Sequence, residues 1–215
     1  EILLVVGALL QDEIGDDERA KKVFVRLLDI DPDNPETVMT VSKALERIHL
    51  ASEDYPALIE DLRRQARYED DYEARNALLI RVADLYELQL GDLEGAIATH
   101  RERLEHDPAD RGALRALERL HEQNGEWLEL IGVLQNHETV ADEEDEQLEI
   151  CRRIGEIYET KLNDAENAIV AYNEVLSRFS TDESTLIALT RLYEKGEKWE
   201  DLREILETRS ELTEE

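Results

Sequence analysis

Tyr55, Trp127 and Trp199 stand at a constant pitch of 72 residues, and each opens the same pattern: YPALIEDL, WLELIGVL and WEDLREIL. A large aromatic returning at a fixed interval, with its apolar neighbours in phase, marks one unit of structure copied along the chain. Such a unit cannot bury its apolar face alone, so the copies must stack, and a solenoid is expected in place of a single closed core. The recurring rings are expected to lie in that core. Trp127→Ala and Trp199→Ala should then each cost about 3–5 kcal/mol.

The rest of the chain follows the same register. Ile2–Pro32 lies over Leu78–Pro108 at an offset of 76, pairing Gly7 with Ala83, Gly15 with Gly91 and Ala20 with Ala96. From Leu78 onward the next copy lies 72 residues on, pairing Ala83 with Gly155, Tyr86 with Tyr158 and Ala96 with Ala168. The four extra residues of the first copy make about one helical turn, which falls before Tyr55 as a longer third helix. The spacing predicts double repeats over 1–72, 73–144 and 145–215, joined in one continuous solenoid. The chain opens without a Met and inside a helical pattern, so it reads as a stretch of a longer array.

Within the middle copy, helices are expected over about 73–90, 93–105, 110–123 and 127–138. Leu78, Leu79, Val82, Leu85 and Tyr86 keep the one-sided stripe of an amphipathic helix. Gly91-Asp92 ends that helix and offers an N-cap for the next. Asp107-Pro108 closes the second, because proline disfavours helical geometry in the residue before it. Asn163-Asp164, Asp54 and Gly196 take turn or cap roles in the other copies. Connections of two to five residues make successive helices antiparallel.

These helix pairs resemble tetratricopeptide repeats. That family places a small residue midway along the first helix, an aromatic three residues on, alanine and an aromatic in the second helix, and then a proline. The matching positions read Gly7, Leu10, Ala20, Phe24 and Pro32; Ala83, Tyr86, Ala96, His100 and Pro108; and Gly155, Tyr158, Ala168 and Tyr172. Small residues allow close helix approach and aromatics fill the space between pairs. The chain departs from the pattern in three ways. Its inter-helix turn is one residue longer, Ser180 replaces the third proline, and the second pairs carry Glu46, Glu118 and Thr190 at the small-residue place. The resemblance implies an all-α, right-handed α–α superhelix of about six helix hairpins. It also implies a non-catalytic protein-interaction scaffold; the alternative is a structural spacer or a regulatory segment of a larger multidomain protein.

Charge narrows the partners. With 54 acidic against 25 basic residues the net charge is −29, a field that repels phosphates and argues against nucleic acid and against anionic membrane surfaces. A protein or peptide partner is expected. The run Ile2–Leu10 is too short to span a bilayer and aligns with Leu78–Tyr86 as an ordinary repeat helix, so no membrane insertion is expected and the chain reads as soluble.

No catalytic constellation and no cofactor are expected. Asp29, Asp31 and Asp33 begin like a calcium loop, but Asn34 and Thr40 stand where glycine and glutamate are needed. The acidic run 142–146 suits a helix N-terminus. His49 and His121 share the pitch of 72 with Tyr193, which marks a packing slot. Cys151 aligns with Leu79 and has no histidine near it in sequence, which reads as core.

The resemblance also implies where a partner would lie. In such stacks the first helix of each pair lines a concave groove, and the position after the small residue reads Ala8, Arg47, Asp84, Arg119, Glu156 and Arg191. Neighbouring groove positions add Arg81, Arg115, Arg152 and Arg153. Two readings stay open. The arginines form an internal ladder that bridges carboxylates of adjacent helices, or they make a locally basic groove for the carboxylates of a peptide, which suits arginine's planar fork. The family's lysine–asparagine clamp for chaperone tails has no counterpart here, since Ala8, Asp84 or Arg119 occupies the asparagine position.

Overall fold

A computed structural model describes residues 2–214, with side chains for 2–212. The described residues are helices joined by short turns, with no strand among them. They run α1 (Ile2–Ala8), α2 (Asp17–Ile30), α3 (Pro35–Ala51), α4 (Tyr55–Tyr68), α5 (Tyr72–Asp84), α6 (Leu93–His106), α7 (Arg111–Asn124), α8 (Trp127–Val140), α9 (Glu144–Thr160), α10 (Ala165–Arg178), α11 (Glu183–Lys195) and α12 (Trp199–Glu214). The expected all-α repeat of helix hairpins is present, and α3 is longer than α7 and α11, as the extra turn requires. The chain divides into two compact units, residues 1–108 and 109–215.

The longer inter-helix turn has a local cause. α1 and α5 each run on into a π-helical stretch, Leu9–Ile14 and Leu85–Leu90. Each stretch ends on a glycine at positive φ, 70° at Gly15 and 64° at Gly91. The wide turn absorbs the extra residue, and the left-handed residue reverses the chain. Asp16 and Asp92 then donate backbone N–H to the carbonyls of Leu10 and Tyr86, both at 2.8 Å. The third copy closes the same bond, Asp164 N–H to Tyr158, with Asn163 as the left-handed residue at φ 52°. Asp16, Asp92 and Asp164 cap the following helices through the N–H of Arg19, Gly95 and Asn167. The second turn of each copy also has its left-handed residue in register, at Glu53, Gly125 and Glu197. In the last copy Glu197, not the adjacent Gly196, therefore takes that role.

In the first unit one apolar cluster joins Leu10 to Phe24, Leu27, Val41, Leu45 and Ile48 across α1–α3. A second joins Leu58, Ile59 and Leu62 of α4 to Val82 of α5, with Tyr55 against it. In the second unit Leu130, Ile131 and Leu134 of α8 meet Ile150, Ile154 and Ile157 of α9, with Trp127 alongside. Ala168, Ile169 and Tyr172 of α10 pack on Leu189, Leu192 and Tyr193 of α11.

The two tryptophans part company. Trp127 is half-buried, with the Lys161 ammonium 5.0 Å from its ring centroid. Trp199 is 61% exposed, which corrects the expectation that both rings lie in the core. Tyr55 and Trp127 are covered by the first helix of the next copy, and no described helix follows α12. Trp199→Ala should therefore lower the unfolding free energy, read from urea denaturation, by less than about 0.5 kcal/mol, well below Trp127→Ala. An equal, large loss in both variants would overturn this placement.

Candidate functional site

Arginines recruited by the repeat hold carboxylates on neighbouring helices. In the first unit Arg47 of α3 donates to Gln11 Oε1 at 2.5 Å and Asp12 Oδ1 at 2.8 Å. Gln11 Nε2 in turn donates to the Ala44 carbonyl. Arg81 of α5 reaches Glu46 at 2.5 Å, and Gln65 of α4 donates to the same carboxylate at 2.6 Å. The second unit repeats that triad one period on. Glu118 accepts from His137 Nδ1 at 2.6 Å and from Arg153 at 2.7 Å, and Arg153 also holds Glu122 at 2.8 Å. Glu46 and Glu118, the residues that break the family's small-residue rule, are thus the acceptors that tie each second helix pair to the next first helix. Arg115 pairs with Glu146 at 3.2 Å, and Arg152 with Glu149 and, at 3.7 Å, Asp182. Arg191 grips Glu159 through two bonds, at 3.0 and 2.8 Å. Asp84 is exposed on α5, and Arg119 is exposed on α7 while engaged in an interaction of its own. The solvent-exposed pairs among these, such as Arg115 with Glu146, each contribute about 0–1 kcal/mol, whereas Glu118 and His137 are buried.

Each unit carries one cleft at the same place in the repeat. In the first it opens between the α1 stretch and α3, has a volume of about 530 Å³, and is walled by Leu4, Val5, Ala8, Phe24 and Ala44, with Lys43 and Arg47 on its rim. In the second it opens between α9 and α11, holds about 280 Å³, and is lined by Arg152, Glu156, Glu159, Tyr172, Ile187 and Arg191. The two linings correspond residue by residue two periods apart: Leu4 with Arg152, Ala8 with Glu156, Gln11 with Glu159, Phe24 with Tyr172, Ala44 with Ala188 and Arg47 with Arg191. The frame is the same and the walls differ, apolar in the first and charged in the second. Of the predicted groove residues these clefts gather Arg47, Arg152, Glu156 and Arg191. Arg81, Arg115 and Arg153 stand outside both, turned to their carboxylates. Leu4, Val5, Lys43 and Ile187 were not singled out from the sequence; laying Leu4-Val5 over Arg152-Arg153 would have exposed the contrast.

Two features read from sequence as packing carry polar partners in the structure. The slot of His49, His121 and Tyr193 is buried in all three copies. His49 Nδ1 donates to Asp61 at 2.6 Å, His121 Nδ1 to Glu126 at 2.6 Å, and the Tyr193 hydroxyl accepts from Asn173 at 2.9 Å. Cys151 is buried, and burial, with Glu138 adding to it, pushes its thiol up to about 12, the opposite of an activated nucleophile. Among the described residues no group of three or more His, Cys, Asp or Glu side chains is arranged to hold a metal ion. No helix among them is long and apolar enough to cross a membrane.

Comparison with known proteins bears on the helix pairs that frame these clefts. The family model of the tetratricopeptide repeat matches residues 5–34 and 148–182, which span α1–α2 and α9–α10. No curated protein matches the chain in sequence. Among solved structures, that of Naa15/Naa10 bound to HypK-THB is 14% identical with a TM-score of 0.54, over 94% of this chain and 30% of that one. A MamA crystal structure is 16% identical with a TM-score of 0.40, over 98% of each chain. A tetratricopeptide repeat protein from Parabacteroides merdae is 16% identical with a TM-score of 0.41, over 95% of this chain and 76% of that one. Two helix pairs match the family model and the first pair of the middle copy, α5–α6, stands in register with them, so in these pairs the chain is similar to tetratricopeptide repeats.

Proposed function

We propose that the chain is a non-catalytic scaffold that binds peptide or protein segments in its repeat clefts. The observation that carries this reading is the recurrence of one cleft frame with two different linings. A frame kept while its walls change from apolar to charged is the arrangement expected of a surface that reads different parts of a partner. The cleft of the first unit suits an apolar side chain flanked by a carboxylate, which Lys43 and Arg47 would receive. That of the second suits a polar segment, because Arg191 and Glu159 hold each other in a fixed fork and present oriented donors and acceptors. The surrounding negative field favours partners that are otherwise basic.

The test is a displayed peptide library selected against the folded chain, followed by binding measurements on variants. Peptides enriched on the wild type should weaken about tenfold or more on Lys43→Glu/Arg47→Glu or on Arg191→Glu, with the circular dichroism of each variant unchanged. Enriched peptides that bind both variants as tightly as wild type would move the contact away from the clefts. A selection that enriches nothing would favour the spacer reading.

A further inference from the structure

The first unit holds an arginine of its own in a socket between α4, α6 and the π-helical stretch that follows α5. Arg63 of α4 donates from Nη1 to Glu102 at 2.7 Å and from Nη2 to Thr99 Oγ1 at 3.0 Å. Its guanidinium carbon stands 6.0 Å from the centroid of the Tyr86 ring. Thr99 is fully buried and gives its own proton to the Gly95 carbonyl at 2.8 Å, which orients its oxygen to accept. A carboxylate, a hydroxyl oxygen and an aromatic face together match the charge and the plane of a guanidinium.

One period on, the socket returns without its arginine. Tyr86 recurs as Tyr158 and Glu102 as Glu174, but Arg63 becomes Gln135 and Thr99 becomes Ala171. These four residues line a cleft of about 160 Å³ between α8, α9 and α10, together with Glu138 and Cys151. Glu138 is already neutralised by Arg178, which also donates to Gln147 at 2.9 Å. Glu174 is exposed, and among the described residues no ion pair engages it. The ring and the carboxylate that receive Arg63 in the first unit thus share an open cleft in the second. This cleft has no residue in common with the one between α9 and α11.

We propose that the cleft between α8, α9 and α10 receives an arginine side chain from a partner protein. Its guanidinium lies on the Tyr158 ring and pairs with Glu174, as Arg63 does with Tyr86 and Glu102. The net charge of −29 draws a cationic segment toward the surface, and the flat ring beside a carboxylate selects the planar guanidinium over an ammonium. Ala171 lacks the hydroxyl of Thr99, so the incoming group is held by one contact fewer than Arg63. Added salt weakens the exposed pair with Glu174.

The test is an NMR titration of the isotope-labelled chain with a blocked glycine peptide that carries one central arginine, beside its lysine and citrulline counterparts. The arginine peptide should give saturable amide shifts clustered on Gln135, Tyr158, Ala171 and Glu174. The lysine peptide should bind about tenfold more weakly or worse, and the citrulline peptide, which keeps the shape without the charge, should give none. Gln135→Arg refills the socket from within and should abolish the arginine shifts with circular dichroism unchanged. Arg63→Gln empties the socket of the first unit and should add a second cluster of shifts on Tyr86, Thr99 and Glu102. If Arg63→Gln fails to fold, the comparison of wild type with Gln135→Arg decides alone. Arginine shifts that persist undiminished in Gln135→Arg overturn the proposal. So does a wild type that gives no clustered shifts, or one whose arginine and lysine shifts spread alike over the acidic surface.

Discussion

Asp61→Ala is expected to lower the unfolding free energy by about 3 kcal/mol, read from urea denaturation with an unchanged slope. Asp61 is fully buried on α4, and its carboxylate accepts from His49 Nδ1 at 2.6 Å and Arg64 at 2.5 Å. Removing it strands a buried imidazole whose Nε2 already lacks a partner, whereas the half-exposed Arg64 can turn to water. The loss therefore falls on His49 and the vacated volume. Asp61→Asn keeps an acceptor of the same shape and should cost only about 1 kcal/mol. Burial raises the Asp61 carboxyl above its ordinary range, against the downward pull of His49 and Arg64. The folded form thus holds its proton to higher pH than the unfolded one. That contribution is fully present below the usual carboxylate value, about 3.9, and is lost as pH rises through the raised value. The wild type's stability advantage over Asp61→Asn should shrink across that window. A gap that widens with rising pH would show that the fold prefers the ionised form and would overturn this account.

The period of 72 made the helices, the turns and most of the core legible, because backbone geometry and burial repeat with it. Gly15 and Gly91 announced their left-handed turns through residue type; Glu53 and Glu197 did not, since their conformation is imposed by the hairpin and not favoured by the side chain. Asp61 escaped for a related reason. Its counterparts are Val133 and Ile205, so nothing at the repeat pitch marks it as polar, and its partner His49 is recognisable only as a member of a packing slot. Trp199 misled in the other direction. The period reports that a ring occupies a position that other copies bury, but burial needs the helix that follows. The arginines of the proposed groove were found by spacing, yet the carboxylate each one takes depends on helix rotation, which sequence distance does not encode. Arg47 takes Gln11 and Asp12 where Arg191 takes both oxygens of Glu159.

Gly155→Ala is expected to destabilise the second unit by about 1–3 kcal/mol, the cost of forcing an extra methyl into a packed interior. A Cβ there would stand 2.5 Å from Cε1 and 2.6 Å from Cδ1 of the buried Tyr172 ring. The register shows how the family's small–aromatic pair is balanced. Gly7 faces Phe24 with equal closeness in the first copy, whereas the middle copy puts alanine at 83 and the smaller histidine at 100, both buried. Volume on one helix is traded against volume on the next. Tyr172→His should therefore destabilise the wild type yet recover part of the loss in Gly155→Ala, a coupling of opposite sign that a double-mutant cycle reads directly. Simple additivity would mean the ring swings aside freely and the close approach is not constraining. The consequence reaches the cleft of the second unit. Tyr172 forms part of its floor and donates its hydroxyl to Glu159 at 3.3 Å, the carboxylate that holds Arg191. A methyl group at Gly155 that displaces the ring should thus weaken any ligand selected by Arg191, although position 155 is buried and can touch no partner.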